Sequence, residues 1–329
     1  MPSNKTVCGF VTLVGRPNVG KSSLLNRLVN EKISIISSKP QTTRHQIQGV
    51  KTMDTIQIVY VDTPGIHHEA KRALNRYMNK AAKTSMTDVD VVLFVVEALK
   101  WTQEDQYVLE LVKTVSQPVI LVVNQIDKVH DKSRLLPYLE RITAQHHFTS
   151  VIPVSALKGI QLDALETAML PLLPESPFFY EPHEKTNQSF QFQLSELVRE
   201  QLMRQLNQEV PYATTVEIEK VEKLEDASAG IGSTEMDCQV AEANTSEAPA
   251  VKSRKDRWQV HALIWVEKQS QKVIIIGDKG ERLKSIGRQA RFAMNSKFDC
   301  RVDLRLWVKV KEGWSDNINL LPQLGYYAE

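Results

Sequence analysis

Three cysteines, Cys8, Cys238 and Cys300, are all that the 329 residues contain, and none belongs to a CxxC pair or a metal-ligand spacing. That scarcity argues against a disulfide framework and fits a reducing compartment. No apolar run approaches the roughly 20 residues that a membrane-spanning helix needs. The N-terminus lacks the charged, apolar and cleavage-site succession of a signal peptide. The expectation is a cytoplasmic protein. A large charge of one sign is also missing, since the net is only +2, with 42% hydrophobic and 24% charged residues. This is the composition of an ordinary soluble chain, long enough for two domains. One internal stretch lacks more. Residues 224–251 carry six acids but no lysine, arginine or aromatic residue. Such a segment buries too little apolar area to offset its ordering entropy, so a disordered insertion is expected. An acidic decoy for nucleic acid is the functional alternative.

What is present begins at residues 15–23, GRPNVGKSS. Gly15, Gly20, Lys21 and Ser22 stand in the fixed places of GxxxxGK[ST]. The apolar run Val7–Val14 reads as a buried strand and Ser22–Val29 as the first turns of a helix. Glycines let backbone amides point inward at a phosphate chain, and the helix N-terminus adds partial positive charge. Lys21 can reach the outer phosphates, and the Ser22 hydroxyl can ligate magnesium. The bland alternative is a glycine-rich turn with an exposed lysine.

The first half alternates apolar runs with helical spacing, the signature of an α/β layer fold with a largely parallel sheet. Strands are expected at 47–51 and 56–61, close enough to form a hairpin and make one sheet edge antiparallel. Further buried strands are expected at 91–96, 119–123 and 150–154. Helices are expected near 70–85, 103–115, 133–147 and 160–172. Pro174, Pro177 and Pro182 cannot continue a helix. The expected division is therefore a first domain over 1–174, a linker over 175–187, and a second domain over 188–329.

Three more motifs follow in order, each at a strand end, where open α/β sheets bind their ligands. In Asp62-Thr63-Pro64-Gly65, Asp62 can hold a magnesium-bound water and the Gly65 amide can sense a terminal phosphate. In Asn124-Gln125-Ile126-Asp127, the carboxylate can accept both guanine N1–H and the exocyclic amine, a pattern adenine lacks. The asparagine can bond the base edge and brace the phosphate loop. Ser155-Ala156-Leu157 can present a backbone amide to the guanine carbonyl. Each alone is a common turn, but together they point to a guanine nucleotide. Within Thr42-Thr43-Arg44, a hydroxyl can complete the magnesium shell with triphosphate and release it on hydrolysis, an order–disorder switch. Thr43 is favoured, with Thr42 as the fallback.

The C-terminal part is basic. From Lys252 to Lys311 there are sixteen Lys/Arg against six Asp/Glu, a net of +10. Inside it, Gly277-Asp278-Lys279-Gly280 follows the apolar run Val273–Ile276, which reads as a strand, and precedes a helix near 281–298. A GxxG at a helix start lets a nucleic-acid backbone come close to the amides. Lys279, Arg282, Lys284, Arg288 and Arg291 gather around it as a phosphate footprint. A helix–strand–strand–helix–strand order fits a KH module that grips single-stranded RNA. The alternative is a basic solvated face.

On these residues the chain resembles the Era-type GTPases, a bacterial ribosome-assembly family with a C-terminal KH domain, over nearly its full length. GRPNVGKSS, QTTRHQI, DTPGIH, NQID and SALKG are similar to the family's nucleotide motifs. SELVREQLMRQL, IIIGDKGERLKSIG and LWVKVKEGW are similar to its KH signatures. The resemblance implies an α/β, Ras-like P-loop GTPase domain with a mixed, mostly parallel sheet, followed by an α+β type II KH domain. It implies hydrolysis of GTP to GDP and phosphate with Mg2+. GTP contacts are implied for Gly15, Arg16, Pro17, Asn18, Val19, Gly20, Lys21 and Ser22, for Asp62, Thr63, Pro64, Gly65 and Ile66, and for Asn124, Gln125, Ile126 and Asp127. An RNA grip is implied for Gly277–Gly280 and the helix after it. Binding of the 16S rRNA 3′ end, action in 30S small-subunit assembly, a monomeric state and peripheral association with the inner membrane are implied as well.

Two departures from the family pattern stand out. Gln125 replaces the usual lysine, whose stem packs on the guanine, and 224–251 replaces a short link. Ras-like enzymes also commonly place a water-orienting glutamine where Ile66 stands. Members of this branch with that change often use potassium, held by a phosphate-loop asparagine. The expectation is that Asn18 and switch residues near Thr43 hold K+. Two rival readings are a membrane-surface or cell-cycle switch on anionic lipid and a tRNA-modification factor.

Overall fold

The computed structural model describes residues 5–37, 39, 41–66, 72–207, 210–224, 256–324 and 326. The expected insertion thus lies, beyond Leu224, outside the described residues. Two sheets organise the chain. The first has the strands β1 (Val7–Val14), β2 (Ile47–Met53), β3 (Ile56–Asp62), β4 (Val91–Glu97), β5 (Val119–Asn124) and β6 (Ser150–Pro153) in the order β2-β3-β1-β4-β5-β6. β2 is antiparallel to β3 and every other pairing is parallel. The expected hairpin turns at Asp54, whose φ of 44° suits an Asp. β4 and β5 are buried along almost their whole length, which is why they read as continuous apolar runs rather than alternating ones.

Helices α1 (Lys21–Val29), α2 (Ala73–Thr87), α3 (Gln103–Val112), α4 (Leu135–Thr143) and α5 (Leu162–Met169) complete the first unit. One core gathers Leu24, Leu25, Leu28, Val11, Leu13 and Leu93, and a second, on the other sheet face, gathers Val14, Phe94, Val96, Leu109 and Ile142. The expected helices at 133–147 and 160–172 are shorter, because 3-10 turns at Lys132–Arg134 and Leu170–Leu172 take up their ends. The parallel topology brings the C-terminal ends of β1, β3, β4 and β5 to one edge, and the nucleotide motifs with them.

The proline-bearing stretch is strapped down. The Cys8 amide donates to Pro174 O, and the Val50 amide donates to Lys185 O. Gly49 and Thr186 form an antiparallel bridge on β2, the edge strand. Gln57, fully buried, is the anchor: its Nε2 donates to Tyr180 O, and its Oε1 accepts from the Phe179 and Tyr180 amides. A covered edge strand presents no template for a foreign strand.

The second unit has α6 (Phe190–Gln205), β7 (Thr214–Leu224), β8 (Arg257–Val266), α7 (Gln269–Ile276), α8 (Glu281–Phe298) and β9 (Arg301–Val310). β7 pairs antiparallel and β9 parallel with the central β8. The helices lie on one face around Leu194, Val198, Ile264, Ile275, Ile286 and Met294. One expectation fails here. Val273–Ile276 is the end of helix α7, so the order is helix–strand–strand–helix–helix–strand. Only Ile275 of that run is fully buried, while Val273 is 61% exposed. A four-residue apolar run fits strand and helix equally by periodicity. The Gln271 side chain decides it, accepting from the Glu267 and Lys268 amides at the helix start. No helix among the described residues is long and apolar enough to cross a membrane.

Gln57→Ala should lower unfolding stability by about 2 kcal/mol, because it strands the amides and carbonyl of the strap. Urea titration checks this, and a change below about 0.5 kcal/mol would contradict the anchoring role.

Candidate nucleotide site and nucleic-acid interface

The phosphate loop is held open from beneath. Gly15 has φ 156°, and a Cβ there would meet Val95 O at 2.3 Å. Gly20 has φ 96°, and its Cβ would meet Asn124 Nδ2 at 2.4 Å. Both must be glycine for conformational and steric reasons together. Asn18 sits at the loop apex with φ 64°. Lys21 Nζ donates to Gly15 O at 2.9 Å and Arg16 O at 3.0 Å, so the amine lies under the loop. Burial pushes the Lys21 pKa down to about 8, against the opposing pull of Asp62. Val19 is wholly in the core and meets the cleft through its backbone alone. The Arg16 side chain is held by two carboxylates: Nε donates to Asp105 at 2.9 Å and a terminal nitrogen to Glu97, at the cleft wall, at 2.6 Å. Arg16 therefore braces the loop through these two bonds.

Four oxygen-bearing side chains converge beside Lys21. Ser22 Oγ lies 2.8 Å from Thr43 Oγ1 and donates to Asp62 Oδ2 at 2.7 Å. Ser34 Oγ donates to the same Oδ2 at 2.9 Å. Thr42 instead donates to Lys39 O. Of the two threonines, Thr43 is thus the one that meets Ser22 and Asp62. Burial raises the Asp62 carboxyl above the ordinary carboxylate range, against Lys21 and three hydroxyls. Its Oδ1 is buried with no hydrogen-bond partner. An orphaned carboxylate oxygen among hydroxyls is a donor set that suits a small hard cation. Ser34 carried no signal in the sequence. It lies in an aperiodic polar stretch and is placed by Asn26, whose Oδ1 accepts from the Ile33 and Ser34 amides.

The residues after Asp62 divide. Thr63 donates to Leu13 O and so faces β1. Gly65 packs on Pro17, where a Cβ would stand 2.9 Å from the proline nitrogen. Pro64 joins these two. Ile66 is fully buried in the core with Val14 and Phe94, and its amide reaches Gly15 O. Its side chain packs in that core and is not among the residues lining the cleft.

At the other end of the cleft, Asn124 Nδ2 donates to Val19 O at 2.9 Å, and its Oδ1 accepts from the Gln125 and Ala156 amides. Asn124 is therefore the brace that was expected. In this structure the Ala156 amide is thus bonded to Asn124, and Leu157 of the same turn lines the cleft. Ile126 donates its amide to Val154 O. Ser155 Oγ donates to Asp127 Oδ1 at 2.5 Å and accepts from the Lys158 amide, fixing the carboxylate beside the 155–157 turn. The cleft between these groups measures about 640 Å3 and runs past Asn18, Lys21, Thr43, Gly65, Gln125 and Leu157. That volume suits a nucleotide.

In the second unit, Gly277 has φ 72° and a Cβ there would stand 2.7 Å from Arg282 Cβ. Gly280 has φ 79° with nothing within 4 Å of its missing Cβ. The turn thus needs glycine at both ends and leaves open space at one. Asp278 and Lys279 lie within it, and Lys284 and Arg288 follow on α8. The Arg282 guanidinium donates to Ile274 O and ties the turn to α7. Val273 and Ile274 expose an apolar strip beside the turn. Open backbone, cations and apolar floor together suit a single nucleic-acid strand.

The two units meet at the loop that carries Thr43. Arg44, fully buried, donates to Thr214 O, Pro211 O and Tyr212 O at 2.6, 2.9 and 3.0 Å. His45 stacks on Tyr326 at 4.4 Å. Tyr326 also meets Tyr77 of α2 edge-on and bonds Thr215 of β7. Ala73 at the start of α2 donates its amide to Asp316. Lys297 near the end of α8 donates to Lys32 O.

Family models place a 50S ribosome-binding GTPase over residues 10–125 and a KH domain over 239–315. The chain is 49% identical to the GTPase Era of Marinobacter nauticus, over 97% of this chain and 94% of that one. It is 45% identical to GTPase Era of Coxiella burnetii, over 98% of both. This chain belongs to the Era family of GTPases. Among solved structures it is similar to Era in complex with MgGDPNP and nucleotides 1506–1542 of 16S ribosomal RNA, with TM-score 0.87 and 34% identity, covering 98% of this chain and all of that one. It is similar also to a point variant of Aquifex aeolicus Era bound to GDP·AlF4−, with TM-score 0.86 and 34% identity over the same shares. The Era-family chain is accordingly a guanine nucleotide-binding GTPase with a Ras-like domain and a KH domain.

Phosphate favours the protonated Lys21, so GTP binding should draw its pKa back up from about 8. Affinity should be flat below that pH and fall several-fold by about pH 8.8. Titration of GDP across that range checks this, and a flat profile would contradict it.

Proposed function

We propose that this chain is a GTP-driven switch that binds the 3′ end of 16S rRNA through its KH domain and acts in small-subunit assembly. The observation that carries it is the nearly full-length likeness to Era holding both MgGDPNP and a 16S fragment. The GxxG turn, its cations and its apolar strip support the same reading in this chain. Nothing in the geometry favours a lipid or tRNA-modification role.

In hydrolysis, a water oxygen bonds to the γ-phosphorus as the bond to the β-bridging oxygen breaks, giving GDP and phosphate. Loop amides from Asn18 to Ser22 and the Lys21 ammonium hold the β- and γ-phosphates, and the Gly65 amide faces the γ-phosphate. Ser22 and Thr43 would hold magnesium, with Asp62 acting through water, and the ion would neutralise charge on the β- and γ-oxygens. Thr43 reaches that set only while its loop is seated. Asp127 and Asn124 select guanine and fix the loop.

The buried Ile66 leaves the usual water-orienting position without a polar group. We infer that transition-state charge is instead offset by potassium held partly by Asn18, with residues near Thr43. Turnover should be at least about 5-fold faster in potassium than in sodium buffer, and Asn18→Asp should change that ratio. Equal rates in both buffers would sink the potassium reading. For the RNA reading, Gly277→Asp with Gly280→Asp should weaken binding of a 16S 3′-end oligonucleotide by at least about 10-fold at fixed salt, leaving GTPase turnover intact. Unchanged binding would overturn it.

A further inference from the structure

Gln125 stands where the family's lysine is expected, and its side chain is held at both ends. Nε2 donates to Asn18 O in the phosphate loop at 3.1 Å. Oε1 accepts from Lys128 Nζ at 2.7 Å. Lys128 is one 3-10 turn further on, and its amide bonds back to Gln125 O at 3.0 Å. Gln125 takes φ 68°, which aims its side chain across to the loop. Both residues line the nucleotide cleft.

A carbonyl oxygen only accepts, so Asn18 O takes the NH2 end of the glutamine amide. An ammonium has three donors and no acceptor, so it can partner only the oxygen. Asn18 O and Lys128 therefore agree on one orientation of the amide and hold it from both ends. Lys128 also polarises the amide, which makes a stronger donor than an isolated one. The Asn18 backbone is in the left-handed region, which an asparagine tolerates, and the bond to its carbonyl fixes the loop apex in that conformation.

We propose that Lys128 and Gln125 together replace the family's single lysine. In this reading Lys128 is a positioning residue that sets the phosphate loop through the Gln125 amide and returns a positive charge to the cleft mouth. The inference rests on the assignment of the cleft as the nucleotide site. It also explains how a chain lacking that lysine keeps a stiff loop.

The test is a double-mutant cycle on the full-length protein, read with a fluorescent GDP analogue by equilibrium and stopped-flow titration. Lys128→Ala should weaken binding about 5- to 10-fold, mainly through faster dissociation, and Lys128→Arg should stay within about 2-fold of the parent. In a Gln125→Lys background, Lys128→Ala should cost less than about 2-fold, because the loop then has its own ammonium. A Lys128→Ala effect below about 2-fold in the parent, or an undiminished loss in the Gln125→Lys background, would overturn the proposal. Lys21→Ala is the control for the site itself. If it binds the analogue as tightly as the parent, the assignment of the cleft fails, whatever Lys128 does.

Discussion

Thr43 and Arg44 are neighbours in the chain and face opposite ways. The Thr43 hydroxyl joins Ser22 and Asp62, where a γ-phosphate and its cation would be read. The Arg44 guanidinium is sunk in the second unit against three carbonyls. A buried guanidinium is costly to leave unpaired, so the loop cannot leave its seat without breaking bonds on the KH side. The interface depends on this constraint. Lys32 to Glu200, Lys297 to Lys32 O, and Tyr326 between His45 and Tyr77 add further contacts between the two units. One loop thus belongs to two sites.

A second economy runs through the phosphate loop. Few of its side chains point at the cleft. Gly15 and Gly20 are shaped by neighbours that forbid a Cβ, Val19 is core, and Arg16 is tied to Glu97 and Asp105. Asp105 also forms the capping box of α3 with Thr102. The loop's backbone is the ligand-binding element, and the surrounding side chains keep it in form. Gln57 plays a similar part elsewhere, pinning the strap that closes the sheet edge.

The sequence made much of this legible where chemistry is local. Phosphate loops need glycines and a lysine at set spacing, and DTPG, NQID and SAL fall at strand ends because the parallel topology puts them there. The GxxG turn was legible because left-handed backbone and open space both demand glycine. Long-range burial was not legible. Nothing adjacent to Arg44 announces carbonyls 167 to 170 residues away. Ser34 is placed by Asn26 across a loop, and Ala156 loses its amide to Asn124. Val273–Ile276 misled because four apolar residues have no period. Ile66 was recognised as unable to orient water, but its turn into the core depends on packing that sequence spacing does not report.

Placed between the two units, the Thr43–Arg44 loop would tie nucleotide state to RNA affinity. The most direct measurement is the ratio of RNA affinities with a GTP analogue and with GDP, compared between the parent and Arg44→Met. A ratio of at least about 5 in one direction is expected for the parent, falling toward one in the variant while GTP binding is kept. A ratio of one in the parent, or an unchanged ratio in Arg44→Met, would contradict it.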